Sequence, residues 1–176
     1  ADMHVILVLP DEHMDAGYKI IDAYFGHDRI QVTIGGPTRF HSVQNGLQLV
    51  TEESIVFVHD AVRCLLSTAL VHRCYEKALE SGSAIPAIDS RDSVRILTPE
   101  GNESVERSSV KLVQTPQTFH SRILIPAYQI DYKDRFTDEA TVAEAFGIKI
   151  QLVEGEENNF KITRPLDMIL AEKLLT

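Results

Sequence analysis

The chain has 176 residues, 44% of them hydrophobic, and a formal net charge of -9 from 17 Lys and Arg against 26 Asp and Glu. This length and apolar fraction suffice for one sizeable core, and a single domain over residues 1–176 is expected. The acidic balance excludes a broad electrostatic footprint for nucleic acid or an anionic membrane, although a few convergent cations can still form an anion site.

The chain opens with HVILVL at residues 4–9, a buried-strand pattern ended by Pro10, and residues 15–25 then carry apolar side chains at helical spacing before Gly26. Strand character returns at residues 30–34, Gly35 and Gly36 break it, and Val43, Leu47 and Val50 supply one face of a helix over 42–50. IVFV at Ile55–Val58 is a third strand, residues 67–81 form a helix with Leu70, Cys74 and Ala78 on one side, and 84–88 form another strand. This βαβαβαβ alternation predicts an α/β fold with a mostly parallel sheet covered by helices.

The middle of the chain departs from the alternation. Residues 93–97 and 111–113 are short strand candidates around a turn-rich stretch at 98–102, which predicts a protruding β-arm over about 90–113 rather than another crossover unit. Helices follow at 121–129 and 138–146, strands at 148–153 and 159–162, and a last helix at 165–175 with Pro165 suited to its first position.

No apolar run reaches the ~18 residues of a membrane span and no signal-peptide series is present, so a cytoplasmic protein is expected. Cys64 and Cys74 lack metal-ligand spacing and are expected as reduced thiols. Seven histidines occur without HExxH or a paired Cys/His cluster, and no zinc site is assigned.

Four constellations can carry chemistry. In IVFVHDAVR an apolar strand ends on His59 and Asp60, and ligands of open α/β sheets sit beyond the carboxyl ends of strands. Asp60 there could hold Mg²⁺, which commonly takes one or two carboxylates plus substrate phosphates, while Arg63 reads phosphate or braces Asp60. The competing reading is a strand-end Asp that caps a turn, and His59 is taken as structural. Gly35, Gly36, Pro37, Thr38, Arg39 and Ser42 lead from a strand into a helix whose free amides can meet an anion or a base edge, or form a plain turn capped by Thr38. FKITR at 160–164 puts Lys161 and Thr163 on one side by the two-residue period of a strand, for a phosphate or simply for solvent. Thr137, Asp138 and Glu139 in FTDEAT place acids in a first helical turn, where capping is the simplest role.

Taken in order, GGPTRFHSVQNGL, VHDAVR, RDSVR, LVQTPQTF, FTDEAT and EGEENNFKITRP resemble the 2-C-methyl-D-erythritol 4-phosphate cytidylyltransferase family, from about His4 to the C-terminus. The resemblance implies a Rossmann-like nucleotidyltransferase fold. It also implies an enzyme of non-mevalonate isoprenoid synthesis that joins CTP and the sugar-alcohol phosphate with release of pyrophosphate. By the same resemblance Gly36 and Ser42 would contact the cytidine, Asp60, Ala61 and Arg63 would lie along the nucleotide, and Asp60 would bind Mg²⁺. Lys161 would stabilise phosphate charge. A homodimer arm would bring Arg107 and Ser93 to the neighbouring subunit's sugar phosphate, with Thr115, Thr137 and Thr163 completing that pocket. Asp60, Lys161 and Arg107 form the expected catalytic set, and no protein nucleophile is required because the attacking phosphate is one already.

Two departures from the family pattern are visible. The resemblance implies a Gly-rich loop with Arg and Lys ahead of HVILVL, yet Ala1 stands only three residues before it, so a fragment with impaired CTP turnover is expected. Cys64 follows Arg63 where the family usually has proline. Two alternatives stay open: a ribitol 5-phosphate cytidylyltransferase, and a noncatalytic sugar-phosphate-binding or dimerisation module.

Overall fold

The structure, a computed structural model, describes residues 3–175 and shows an α/β protein. Two compact units are present: one runs through Ser54 and includes Ser121–Lys149, the other comprises Ile55–His120 and the chain from Ile150 onward.

In the first unit β1 (Val5–Leu9) and β2 (Ile30–Ile34) pair in parallel, joined by α1 (Met14–Tyr24). The β-branched and leucine run of β1 suits a pleated surface, and Ile21 is the large apolar residue that α1 buries. After β2 the chain turns through Gly35 and Gly36 into α2 (Arg39–Leu47), whose N-cap Thr38 accepts the His41 N–H. α4 (Ser121–Ala127) and α5 (Glu139–Ala145) complete this unit. Phe40 of α2 is buried among aromatic rings, stacked on Tyr128 at 4.7 Å and near Phe136 at 5.8 Å.

In the second unit β3 (Ile55–Val58) leads to α3 (Thr68–Ser81), which Ser67 caps by accepting the Leu70 N–H at 3.0 Å. Leu70, Cys74 and Ala78, spaced by four, are fully buried against Ala84, with Ile55, Phe57, Leu66 and Val153 packed around them. Gly82 ends α3 at φ +83°, a left-handed conformation that favours glycine. β4 (Ser83–Asp89) follows at the centre of the sheet, and its first five residues are all buried. The arm is a hairpin of β5 (Val94–Thr98) and β6 (Gly101–Val105), after which β7 (Lys111–Val113) and β8 (Gln117–His120) return along β4. β9 (Leu152–Glu154) pairs with β4 in parallel, and α6 (Pro165–Leu175) closes the chain.

The pairing corrects the expectation of a mostly parallel sheet. β1–β2 and β4–β9 are parallel, but β3–β8, β8–β4, β4–β7 and β5–β6 are antiparallel. β3 and β4 do run the same way, as a helical crossover dictates, but β8 lies between them. It arrives from the arm without a helix and therefore runs opposite to both. Within the expected β-arm, β5 pairs with β6, whose first residues lie in the stretch expected as turn, and residues 111–113 join β4. The expected strand at 148–153 begins only at Leu152, and residues 159–162 join no ladder.

The antiparallel return is not continuous in register. Three steps along β4, from Ala84 to Ala87, face five on the returning segment, from Thr118 back to Val113. The surplus is taken up around Gln114, Thr115 and Pro116, and the side chains of Gln114 and Thr115 turn inward to buried positions. Gln114 uses both ends of its amide, accepting the Glu156 N–H at 3.0 Å and donating to the Glu156 carbonyl at 2.7 Å.

Candidate active site

In the first unit a glycine loop joins β2 to α2. Ser42, in the first turn of α2, accepts the Gly36 N–H at 3.0 Å and donates to the Thr38 carbonyl at 3.0 Å, so the hydroxyl clamps the loop from inside. A Cβ on Gly36 would lie 2.3 Å from the His41 Cβ and 3.0 Å from its carbonyl carbon, which explains the glycine by close approach rather than by turn geometry. Thr38 is the cap that the spacing predicted. Arg39, next in line, reaches Glu139 with both terminal nitrogens at 2.5 and 2.9 Å.

The sequence places Glu139 among the acids of a first helical turn, and the structure gives it a further role. It is fully buried at the first position of α5 and also accepts the Tyr128 hydroxyl at 3.0 Å. Burial pushes its carboxyl upward from the ordinary value, against the opposing pull of Arg39. Asp138 beside it forms the predicted cap, accepting the Thr141 N–H at 2.9 Å. Thr137 is exposed immediately before that cap.

The second unit brings the strand-end acid and the distant lysine together. Lys161 Nζ lies 2.9 Å from Asp60 Oδ2, and Arg63 Nε lies 3.6 Å from the same oxygen. The Asp60 carboxyl is 13% exposed and the Lys161 side chain 48%, so one face of the pair is open to a ligand. Lys161 reaches Asp60 without belonging to a strand. Its segment is held beside the turn by the Ile162 N–H donating to the Val62 carbonyl at 2.8 Å. The Arg63 guanidinium is buried and donates to the Asn159 carbonyl at 2.5 Å. Burial draws its pKa down from the usual value while Asp60 opposes the shift.

Thr115 and Asn159 lie directly behind this pair. Thr115 Oγ1 accepts the Asp60 N–H at 3.0 Å, and Asn159, fully buried, donates its amide to the Thr115 carbonyl at 2.8 Å. Thr115 is therefore spent on the frame of Asp60. Asn159 escaped the sequence reading, and the signal available for it was two consecutive asparagines just ahead of FKIT. The Thr163 N–H and hydroxyl donate to Asp167 at 3.0 and 3.4 Å, at the start of α6. Ala61 is exposed in the turn, and its carbonyl accepts the Cys64 thiol. Ser93 and Arg107 are exposed on the arm, where Arg107 donates to the Arg91 carbonyl at 3.2 Å.

Among the described residues no group of three or more His, Cys, Asp and Glu gathers into a metal cage. Asp60 is the carboxylate here that could serve a Mg²⁺, an ion that commonly takes one or two protein carboxylates and completes its shell with phosphates and water. The arrangement can neutralise phosphate charge and align a reactant, and it presents no activated Ser or Cys nucleophile.

The family model of IspD, 2-C-methyl-D-erythritol 4-phosphate cytidylyltransferase, matches residues 2–176. The protein of that name from Phocaeicola vulgatus is 45% identical over 175 residues, covering 99% of this chain and 80% of the relative. Among solved structures, the 4-diphosphocytidyl-2C-methyl-D-erythritol synthase of Anaerococcus prevotii superposes with a TM-score of 0.86 at 29% identity, covering 98% of this chain and 78% of its own. The Thermus thermophilus cytidylyltransferase gives a TM-score of 0.77 at 31% identity, covering 98% and 82%. With a matching model over nearly all its length and a close relative, the chain belongs to the 2-C-methyl-D-erythritol 4-phosphate cytidylyltransferase family.

Proposed function

We propose that this chain, with a Rossmann-like nucleotidyltransferase arrangement, transfers the cytidylyl group of CTP to 2-C-methyl-D-erythritol 4-phosphate in isoprenoid synthesis. A 4-phosphate oxygen attacks the α-phosphorus of CTP. One O–P bond forms, the bond to the pyrophosphate oxygen breaks, and no proton need be removed from the nucleophile. The obstacle is repulsion between two anions, and the observation that carries the reading is Lys161 Nζ set 2.9 Å from Asp60 at a strand end.

Asp60 is the residue that would hold Mg²⁺, and the ion would supply charge neutralisation on the nucleotide phosphates. Lys161 places a second positive charge where the equatorial oxygens gain charge, and its salt bridge to Asp60 limits its freedom before substrate arrives. Arg63, too buried to sweep outward, supports the carboxylate from behind. Gly36 and Ser42 contact the cytidine through the loop backbone, and Ala61 lines the nucleotide beside Asp60. Thr137 and Thr163 are assigned to the sugar phosphate, together with Ser93 and Arg107. The arm of a homodimer carries the last two, and its exposed Ile96 and Leu97 supply apolar surface for a second subunit. The reading includes a cytoplasmic location; separately, among the described residues no helix is long and apolar enough to cross a membrane.

Pyrophosphate release by the full-length gene product tests the reading, with methylerythritol phosphate and ribitol 5-phosphate as rival acceptors. Release dependent on the first supports it. Faster release with ribitol phosphate overturns the acceptor, and CTP-independent sugar-phosphate binding without release reduces the protein to a binding module.

A further inference from the structure

His59 is more than a structural neighbour of Asp60, because the hydrogens of its two contacts can be assigned from chemistry. Its Nε2 lies 3.0 Å from the Arg63 carbonyl, which can only accept, so Nε2 carries the proton. Its Nδ1 lies 3.1 Å from Thr115 Oγ1. That oxygen already accepts the Asp60 N–H at 3.0 Å, and its one hydrogen is directed to Nδ1. Every donor then has an acceptor: the Asp60 amide gives to Thr115, Thr115 to His59, and His59 to Arg63. The turn closes on itself, since the Arg63 N–H donates to the Asp60 carbonyl at 2.9 Å. Asn159 fixes the far side, holding Thr115 through its side chain and Arg63 through its carbonyl.

We propose that His59, as the Nε2–H tautomer, is a positioning residue that sets the backbone of Asp60 through the Thr115 hydroxyl, and with it the aim of the carboxylate. The inference rests on the reading of Asp60 as the Mg²⁺ acid. The effect of His59 is exerted through the surplus residues between β7 and β8, which put Thr115 under the turn instead of in the ladder. Residues that orient a metal ligand from behind typically change metal affinity by about 10–100-fold when removed.

The test uses Mn²⁺ with CTP, followed by water-proton relaxation, on the full-length protein and on variants whose near-ultraviolet circular dichroism matches the parent. Thr115→Val keeps the shape and removes the hydroxyl, Thr115→Ser restores it, and His59→Leu removes the acceptor. We expect His59→Leu and Thr115→Val to weaken Mn²⁺·CTP about tenfold, and Thr115→Ser to recover most of the loss. Binding unchanged in His59→Leu and Thr115→Val, while Asp60→Asn loses it, overturns the positioning role and leaves the metal assignment standing. Binding unchanged in Asp60→Asn as well overturns the metal assignment and this inference with it. A ¹⁵N spectrum of the parent protein supplies a readout that needs no variant to fold: a proton on Nε2 of His59 with Nδ1 bare supports the chain of hydrogen bonds, and a proton on Nδ1, alone or together with Nε2, refutes it.

Discussion

Glu139, wholly out of contact with solvent, is held by both terminal nitrogens of Arg39, a residue 100 positions earlier in the chain. The pair ties the first residue of α2 to the first residue of α5, so the helix starts beside Ser42 and Thr137 share one anchor. Removing one partner of a buried pair costs about 3–5 kcal/mol, and the lower end applies because a third of the Arg39 side chain is exposed.

The sign of the pH dependence follows. Burial raises the Glu139 carboxyl above its unfolded value, and loss of the guanidinium raises it further. A raised acid is compatible with the fold while protonated, and its penalty grows as pH climbs through the folded value. Arg39→Met should therefore lower urea stability by about 3 kcal/mol at pH 8 and by clearly less at pH 5. Equal losses at the two pH values would show that the buried charge is not the cause.

Asp60→Asn and Lys161→Ala are expected to slow pyrophosphate release about 10²-fold or more, the scale of losing one electrostatic contact to a transition state. The two should differ in metal response. Excess Mg²⁺ should partly restore Asp60→Asn by mass action and do nothing for Lys161→Ala. Full activity in both variants would disprove the assignment of the strand-end pair.

Gly36→Ala should raise the KM for CTP with a smaller change for the acceptor phosphate. The added methyl meets the His41 Cβ and backbone at 2.3 and 3.0 Å, and neither can swing aside as a long side chain would. Steady-state kinetics with each substrate varied in turn would check this; an unchanged KM for CTP would remove the loop from the nucleotide site.

The two thiols should separate cleanly by reactivity. Cys64 is exposed, whereas Cys74 is buried in the core of the second unit and burial pushes its thiol up to about 11. At pH 8 a disulfide reagent should modify one equivalent quickly and the second only on unfolding. Rapid modification of both would mean that α3 opens readily.

How much of this could be read in advance depended on the range of the signal. Strand and helix positions up to Asp89 follow local periodicity and were legible, as were the caps Thr38 and Asp138, because each acts within one turn. Strand direction was not, since β8 enters between β3 and β4 through contacts distant in sequence. The Lys161 segment looked like a strand because its polar and apolar residues alternate, yet its backbone bonds go to a turn at Val62. Asp60 and Lys161 stood out as isolated charges near apolar runs. Asn159 did not, and the buried roles of Glu139 and Thr115 were equally hidden, because they depend on burial beside a partner far along the chain, whereas polar residues usually face water.

The mismatch of three steps against five beside β4 makes spacing a heritable trait of this segment, separate from residue identity. Shortening the stretch from Val113 to Thr118 by one residue would invert which side chains of the return strand face inward and withdraw the hydroxyl beneath Asp60. The hairpin tip at Pro99 and Glu100 bears no such constraint, so related chains should vary in length there and hold constant here.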